Sequence, residues 1–255
     1  MVENKPKIAN EGLESSEERE LKLSVDETLY RTLLEQLSPG AQEVEQSYLT
    51  DTYYDDPTYL LTNLNRGLRL RTGPKTTPSL EFKSLFYVPE LRPNNPWLVE
   101  EKIFAIPTNS SGLENLAQIF KRFDRTLNIN TNEHLFYESD IDALLKSSGF
   151  EPRIVVVKTR TELKYDHHTF SFDQIQGLGH FIEIETHDNT DPQHILDQTG
   201  IFPDLNIVRE GYNDMLAAQN PKVNPAHDRQ KLFQTSPTWN ILPGEEVVIK
   251  KLLNI

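Results

Sequence analysis

Five separate segments of this chain repeat one pattern, a charged side chain at every second position with apolar residues between. EERELKLSV (17–25) sets Glu18, Glu20 and Lys22 against Leu21, Leu23 and Val25, and RGLRLRTG (66–73) alternates Arg69 and Arg71 with Leu68 and Leu70. In SLEFKS, Glu81 and Lys83 flank Phe82; in RIVVVKTRTEL, Lys158 and Arg160 follow an aliphatic run; in LGHFIEIETH, Glu183 and Glu185 alternate with Ile182 and Ile184. Strand side chains two apart share a face, about 6.6–7 Å from one another. Each segment is therefore a strand with one charged face and one apolar face. For one strand, an ordinary solvated face explains the pattern. Five such strands are harder to explain that way, because solvated strand faces more commonly mix Thr, Ser, Gln and Lys than pair Arg with Glu. If the sheet closes on itself, every one of these charges can point inward. Eight strands enclose room for side chains and one small ligand, and closure removes the exposed edges.

The strand count fits that expectation. Period-two patterning predicts eight strands, at 17–25, 43–54, 66–73, 78–87, 98–106, 152–164, 168–175 and 180–187. Helices are expected at Asp26–Leu37, stopped by Pro39-Gly40; at Ser111–Phe123; at Ser139–Ser148, with Ser139 or Asp140 as cap and Gly149 as terminator; after Asp191-Pro192, ending at Gly200; and at Arg209–Gln219. Short connections favour antiparallel pairing. The expected fold is α+β, a closed eight-stranded antiparallel β-barrel with helices packed outside. Residues 1–16 lack apolar periodicity and read as a flexible leader, 17–219 as the barrel domain, and 220–255 as a C-terminal extension whose PGEEVVIKKLLNI end is a packed tail or an added hairpin.

Charge narrows the chemistry. The 255 residues carry 26 basic and 39 acidic side chains, a net charge of −13, so the surface as a whole repels nucleic acid and an anion can bind only in a local basic pocket. Without cysteine there is no disulfide, thiolate metal site or cysteine nucleophile. No apolar run approaches a membrane span or a signal peptide, which predicts a soluble cytoplasmic protein. Within the strands the charges separate by sign: Glu18, Glu20, Glu183 and Glu185 lie toward the ends of the chain, and Arg69, Arg71, Lys83, Lys158 and Arg160 in the middle. A basic wall buried inside a barrel needs a multiply charged anion, and grouped carboxylates need a hard cation such as Mg²⁺ or Mn²⁺. A triphosphate with its metal supplies both, with arginines gripping phosphate oxygens bidentately.

These residues resemble, in order, the motifs of the CYTH superfamily of triphosphate tunnel metalloenzymes, which embraces class IV adenylate cyclases and thiamine and inorganic triphosphatases. Glu18, Glu20 and Lys22 are similar to its N-terminal ExExK; DTYYDDP with Leu60 and Leu61 resembles its second-strand segment; Arg69 and Arg71 fit its LRxR, and Lys83 its following lysine. SSGFEPRIVVVKTR and FDQIQGLGHFIEIE resemble its last two motifs. The resemblance implies that Glu18, Glu20, Asp173, Glu183 and Glu185 hold metal. It implies further that Lys22, Arg69, Arg71, Lys83, Lys158, Arg160 and Arg209 grip the triphosphate, and that Glu18, Glu20, Lys22 and Lys83 carry catalysis. Glu100 or Glu101 is a further candidate for an inward carboxylate.

The departures bear on the reaction. The His-Phe pair that many class IV cyclases carry before ExExK is missing from GLESSEE, and Gly67 stands where thiamine-selective animal enzymes place Trp. The leading expectation is a metal-dependent triphosphatase acting on inorganic, thiamine or nucleoside triphosphate. The alternatives are a class IV adenylate cyclase making cyclic AMP and diphosphate, and a non-catalytic triphosphate or nucleotide sensor. The expected partner is the small triphosphate, with no membrane and no general nucleic-acid binding, and a homodimer is compatible with the sequence. His167-His168 reads as an exposed turn and Trp97 and Trp239 as packing residues.

Overall fold

The computed structural model describes residues 19–87, 97–108, 110–127, 136–186, 190–200, 206–208, 210–219, 241–242 and 244–252. Nine strands form one sheet: β1 Arg19–Val25, β2 Glu43–Asp55, β3 Arg66–Thr72, β4 Ser79–Tyr87, β5 Trp97–Ala105, β6 Glu151–Lys164, β7 His168–Ile175, β8 Gly179–Thr186 and β9 Asn206–Val208. Their order is β5-β4-β3-β2-β6-β7-β8-β1-β9, and neighbours pair antiparallel throughout. The eight expected strands are all present with ends within one residue, apart from positions 17 and 18, which lie outside the described residues.

The sheet is strongly curled, but the expected closed eight-stranded ring is not what the described residues form. Closure would require β5 to pair with β1, and β9 occupies that edge of β1, with Lys22, Leu23 and Ser24 opposite Val208, Ile207 and Asn206. The curl shows in an ion pair: Lys83 of β4 lies 3.8 Å from Glu20 of β1. Those strands are six places apart in the sheet order, which in a flat sheet would separate them by roughly 29 Å.

The helices are α1 Glu27–Leu37, α2 Leu60–Asn63, α3 Ser110–Lys121, α4 Glu138–Ser147, α5 Pro192–Gln198, α6 Tyr212–Gln219 and α7 Glu246–Leu252. Asp26 caps α1 by accepting from the Leu29 N–H at 2.8 Å, and Asp191 caps α5 ahead of Pro192. In α4 the cap position falls to Tyr137 instead of Ser139 or Asp140, and Asp140 reaches back from the third helical position to accept the Tyr137 N–H at 2.8 Å. The last expected helix begins at Tyr212, three residues later than expected.

With the charges on the concave face, the apolar core lies on the convex side and the helices cover it. Leu23, Phe170, Phe172, Ile182 and Ile184 pack with Leu33 of α1 and Leu196 of α5, while Leu68, Leu70, Leu80, Phe82 and Phe104 pack with Leu113, Leu116 and Phe120 of α3 and Ile141 and Leu145 of α4. Among the described residues, the expected packed tail or hairpin takes the form of a packed helix: Ile249 of α7 packs on Phe86 of β4. Just before α7, the fully buried Glu245 accepts from Arg66 Nη2 at 2.8 Å.

Candidate functional site

Antiparallel partners put their side chains on the same face, so the register decides which charges meet. Lys22 faces Glu183 and Glu20 faces Glu185 across β1 and β8; Asp173 faces Arg160 across β7 and β6; Lys158 faces Leu49 across β6 and β2. Asp51 faces Arg71 and Tyr53 faces Arg69 across β2 and β3; Arg69 then faces Glu81, and Gly67 faces Lys83, across β3 and β4. Glu20, Lys22, Arg69, Arg71, Lys83, Lys158, Arg160, Asp173, Glu183 and Glu185 therefore all share the concave face. Glu101, opposite Lys83, joins them, while Glu100 points to the convex side and binds Arg122 at 2.7 and 3.0 Å. Glu18 and Arg209 lie outside the described residues.

The charges interleave instead of forming one basic and one acidic wall. Asp51, 1% exposed, accepts from Arg71 Nε and Nη2 at 2.7 and 2.8 Å and lies 3.5 Å from Arg69. Glu81 takes the Arg69 Nε at 2.6 Å, and Arg69 Nη1 donates to the Tyr53 hydroxyl at 3.2 Å. Asp173 takes Arg160 Nε at 2.7 Å and Nη2 at 2.5 Å, lies 3.3 Å from Lys158, and accepts the Tyr212 hydroxyl at 3.0 Å. Glu183 binds Lys22 at 3.2 Å and Arg160 at 2.5 Å. The reason is solvation: a guanidinium or ammonium taken out of water is tolerated only with a partner at hydrogen-bond distance.

Sequence reasoning passed over Asp51, the Glu81 contacts and Tyr212. The Asp51 signal was a carboxylate at the start of the quoted DTYYDDP segment, but its role needs the β2–β3 register. Tyr212 comes from α6, and its ring sits 4.7 Å from Lys22 Nζ and 5.4 Å from Lys158 Nζ. With Val156, Ile175 and Phe181 it fills the concave face beside the charges with an apolar plug.

The electrostatics follow from burial and neighbours. Burial opposes the charged form of Asp51, yet Arg69 and Arg71 overcome it and hold the carboxyl well below its usual range. Glu183 is likewise lowered despite burial, by Lys22 and Arg160. Lys22 is raised, since Glu183 and Glu20 outweigh its burial. Lys158 goes the other way: burial, with Arg160 adding like-charge repulsion, pushes its ammonium down to about 8.

Two arginines keep a donor for a ligand. Asp51 and Asp173 each occupy the Nε and Nη2 edge of their arginine, leaving Arg71 Nη1 and Arg160 Nη1, among the described residues, with longer ion contacts of 3.4 Å to Glu81 and 3.8 Å to Glu162. The acidic side suits a hard cation in its donor set. Glu20 and Glu185 are directly opposed, a like-charge pairing that is unfavourable by itself, and Glu183 is two residues along the same face. Among the described residues, however, no three Asp, Glu, His or Cys side chains are gathered closely enough to hold a metal ion by themselves. No helix among the described residues is long and apolar enough to cross a membrane.

Comparison with solved structures returns the same fold. A Pyrococcus horikoshii OT3 protein, PH1819, aligns at 21% identity and TM-score 0.53 over 80% of this chain and 99% of its own. A Vibrio parahaemolyticus protein provisionally designated an adenylate cyclase aligns at 17% identity and TM-score 0.50 over 78% and 97%. A Hippeastrum protein, provisionally an adenylyl cyclase and described as having a dominant triphosphatase activity, aligns at 16% identity and TM-score 0.49 over 82% and 98%. A search of curated protein sequences finds no match. The sequence pattern of the CYTH domain matches residues 16–209, the span that supplies all nine strands of the curled sheet and its charged face. That family includes triphosphatases and proteins assigned as adenylate cyclases and generally uses divalent metals, and this chain belongs to it.

Proposed function

We propose that the concave face is a triphosphate tunnel and that the protein is a metal-dependent triphosphatase. The observation that carries this reading is the set of four half-buried or buried cations, Arg69, Arg71, Lys158 and Arg160, fixed on one face by Asp51, Glu81 and Asp173. A preorganised cluster of that kind stabilises the charge that develops on transferring phosphoryl oxygens without reorganising during the reaction. Arg71 Nη1 and Arg160 Nη1 donate to the phosphate chain, and Lys158 neutralises it from the floor of the sheet. Lys22 and Lys83, on either side of Glu20 at 3.4 and 3.8 Å, hold the terminal phosphoryl group.

Glu20, Glu183 and Glu185, with Glu18 beyond the described residues, fit Mg²⁺ or Mn²⁺, which supplies charge neutralisation to the phosphate oxygens when bound. Asp173 is enclosed by Lys158, Arg160 and Tyr212, and we assign it to positioning those cations. Water attacks the terminal phosphorus, its proton passes to an inward carboxylate, the bond to the bridging oxygen breaks, and orthophosphate leaves. Residues 17–219 are the working domain in this reading, with 220–255 as an extension. The test is product identification after incubation with Mg²⁺ or Mn²⁺ and tripolyphosphate, thiamine triphosphate, ATP or GTP. Orthophosphate release supports hydrolysis; diphosphate with a cyclic nucleotide replaces it with cyclisation; binding without turnover replaces it with a sensor.

A further inference from the structure

Lys22 and Lys158 are held on the concave face differently from the arginines beside them. Arg69, Arg71 and Arg160 each meet a carboxylate at 2.5–2.8 Å. The Lys22 ammonium lies 3.4 Å from Glu20, 3.2 Å from Glu183 and 3.4 Å from the Glu210 carbonyl, and that of Lys158 lies 3.3 Å from Asp173. These polar contacts are long, and what the two lysines share is the ring of Tyr212, 4.7 Å from one ammonium and 5.4 Å from the other. Lys22 stands on β1 and Lys158 on β6, three places apart in the sheet order, which would be roughly 14 Å in a flat sheet. One ring reaches both because the sheet curls around it. Tyr212 is 6% exposed, and its orientation is fixed from two sides. The hydroxyl donates to Asp173 Oδ2 at 3.0 Å, the oxygen that Lys158 Nζ and Arg160 Nη2 also reach, and the ring meets Phe181 edge to face with centroids 5.1 Å apart.

We propose that Tyr212 is a positioning residue of the phosphate site, its ring fixing Lys22 and Lys158 where a phosphate chain meets them, an inference that rests on the triphosphate reading above. The reason lies in what a ring does to a cation that a carboxylate does not. Its π face attracts an ammonium through the quadrupole but carries no net charge, so the full positive charge stays available to an incoming anion. A carboxylate in the same place would neutralise the lysines and repel phosphate. An ammonium carries three N–H donors on a flexible four-carbon stem, so it needs something to hold it still. Without the ring, Lys22 would settle onto Glu20 and Glu183, and Lys158 onto Asp173, their nearest opposite charges. Each ammonium would then have to be drawn off its carboxylate and ordered as the anion binds, which weakens binding. With the ring in place, the two groups are ordered on folding, before the anion arrives.

The test separates the electrostatics of the ring from its shape. Tyr212→Phe keeps the ring, and its monofluoro, difluoro and trifluoro ring derivatives, introduced during synthesis of the full chain, drain the negative π face with little change in size. Each protein is titrated calorimetrically in Mg²⁺ with the imido analogue of tripolyphosphate, and its melting temperature is measured without ligand. Affinity should fall stepwise with each fluorine, by at least about fivefold from phenylalanine to the trifluoro ring, the scale of one cation–π contact, while the melting temperature varies little. If loss of the hydroxyl unfolds the protein, the same fluorine series built on tyrosine gives the same slope. A smaller fall, a rise, or a fall that tracks the melting temperature means that the ring only fills space, and overturns the positioning role alone. Failure of the unsubstituted protein to bind the analogue overturns the triphosphate site and this inference with it.

Discussion

Replacing Glu245 by Ala should be among the most destabilising single changes in this protein, although residue 245 lies outside the family's span and far from any phosphate-binding residue in sequence. The Arg66 and Glu245 side chains are both 0% exposed. Glu245 accepts from Arg66 Nη2 at 2.8 Å and from the Leu242 N–H at 2.9 Å; Arg66 Nη1 donates to the Leu64 and Leu85 carbonyls at 2.7 and 3.0 Å, and its guanidinium stacks 4.4 Å over Phe86. Burial already pulls the Arg66 guanidinium below its usual value, with Glu245 opposing it. Truncating Glu245 removes the carboxylate that pairs at hydrogen-bond distance with a fully buried cation, a loss of about 3–5 kcal/mol. For a domain of this size that lowers the melting temperature by roughly 6–20 °C. Urea unfolding followed by far-UV circular dichroism measures it as a fall in midpoint at constant slope. The companion variant Arg66→Met/Glu245→Leu, which removes both charges and keeps the volume, should recover most of the loss. A loss below about 1 kcal/mol for Glu245→Ala would refute the reasoning and show the C-terminal segment to be only loosely attached.

Other expectations concern the concave face. Arg71→Ala should weaken triphosphate binding by roughly 1.5–3 kcal/mol, the scale of a charge-assisted hydrogen bond, as read by calorimetric titration with a non-hydrolysable analogue. Glu185→Gln should suppress metal-dependent turnover at limiting Mg²⁺ with the melting temperature nearly unchanged. Glu183→Gln should lower both, because Lys22 and Arg160 lose a charged partner, and activity against metal concentration beside a thermal melt separates the two. Lys158 sets a pH dependence: between about pH 8 and its ordinary 10.5 the unfolded chain holds a proton that the folded chain does not, so this group makes stability rise with pH across that window. A bound triphosphate restores that proton. Affinity should therefore fall above about pH 8 with proton uptake on binding, seen by titration in buffers of different ionisation enthalpy and missing in Lys158→Met.

Alternation of charged and apolar residues is a local property, since strand side chains change face at every step, and so the eight longer strands, and the charged face of five of them, were legible in the sequence without any partner. The same locality explains the helix ends at Asp26 and Asp191, where a side chain two or three residues away completes the cap. Register is not local. That Asp51 lies against Arg71, that Glu81 takes Arg69, and that Asp173 gathers Lys158, Arg160 and Tyr212 depend on strand order and on pairings between segments up to about a hundred residues apart. The sequence grouped the charges by sign along the chain, whereas folding grouped them by desolvation, setting a carboxylate beside each buried cation. Tyr212 shows the same limit, because nothing in REGYNDML marks it as the residue whose ring meets Lys22 and Lys158. So do β9 and Glu245: a three-residue strand and a single carboxylate carry too little periodic signal, and their places are decided only by the free edge of β1 and the buried charge of Arg66.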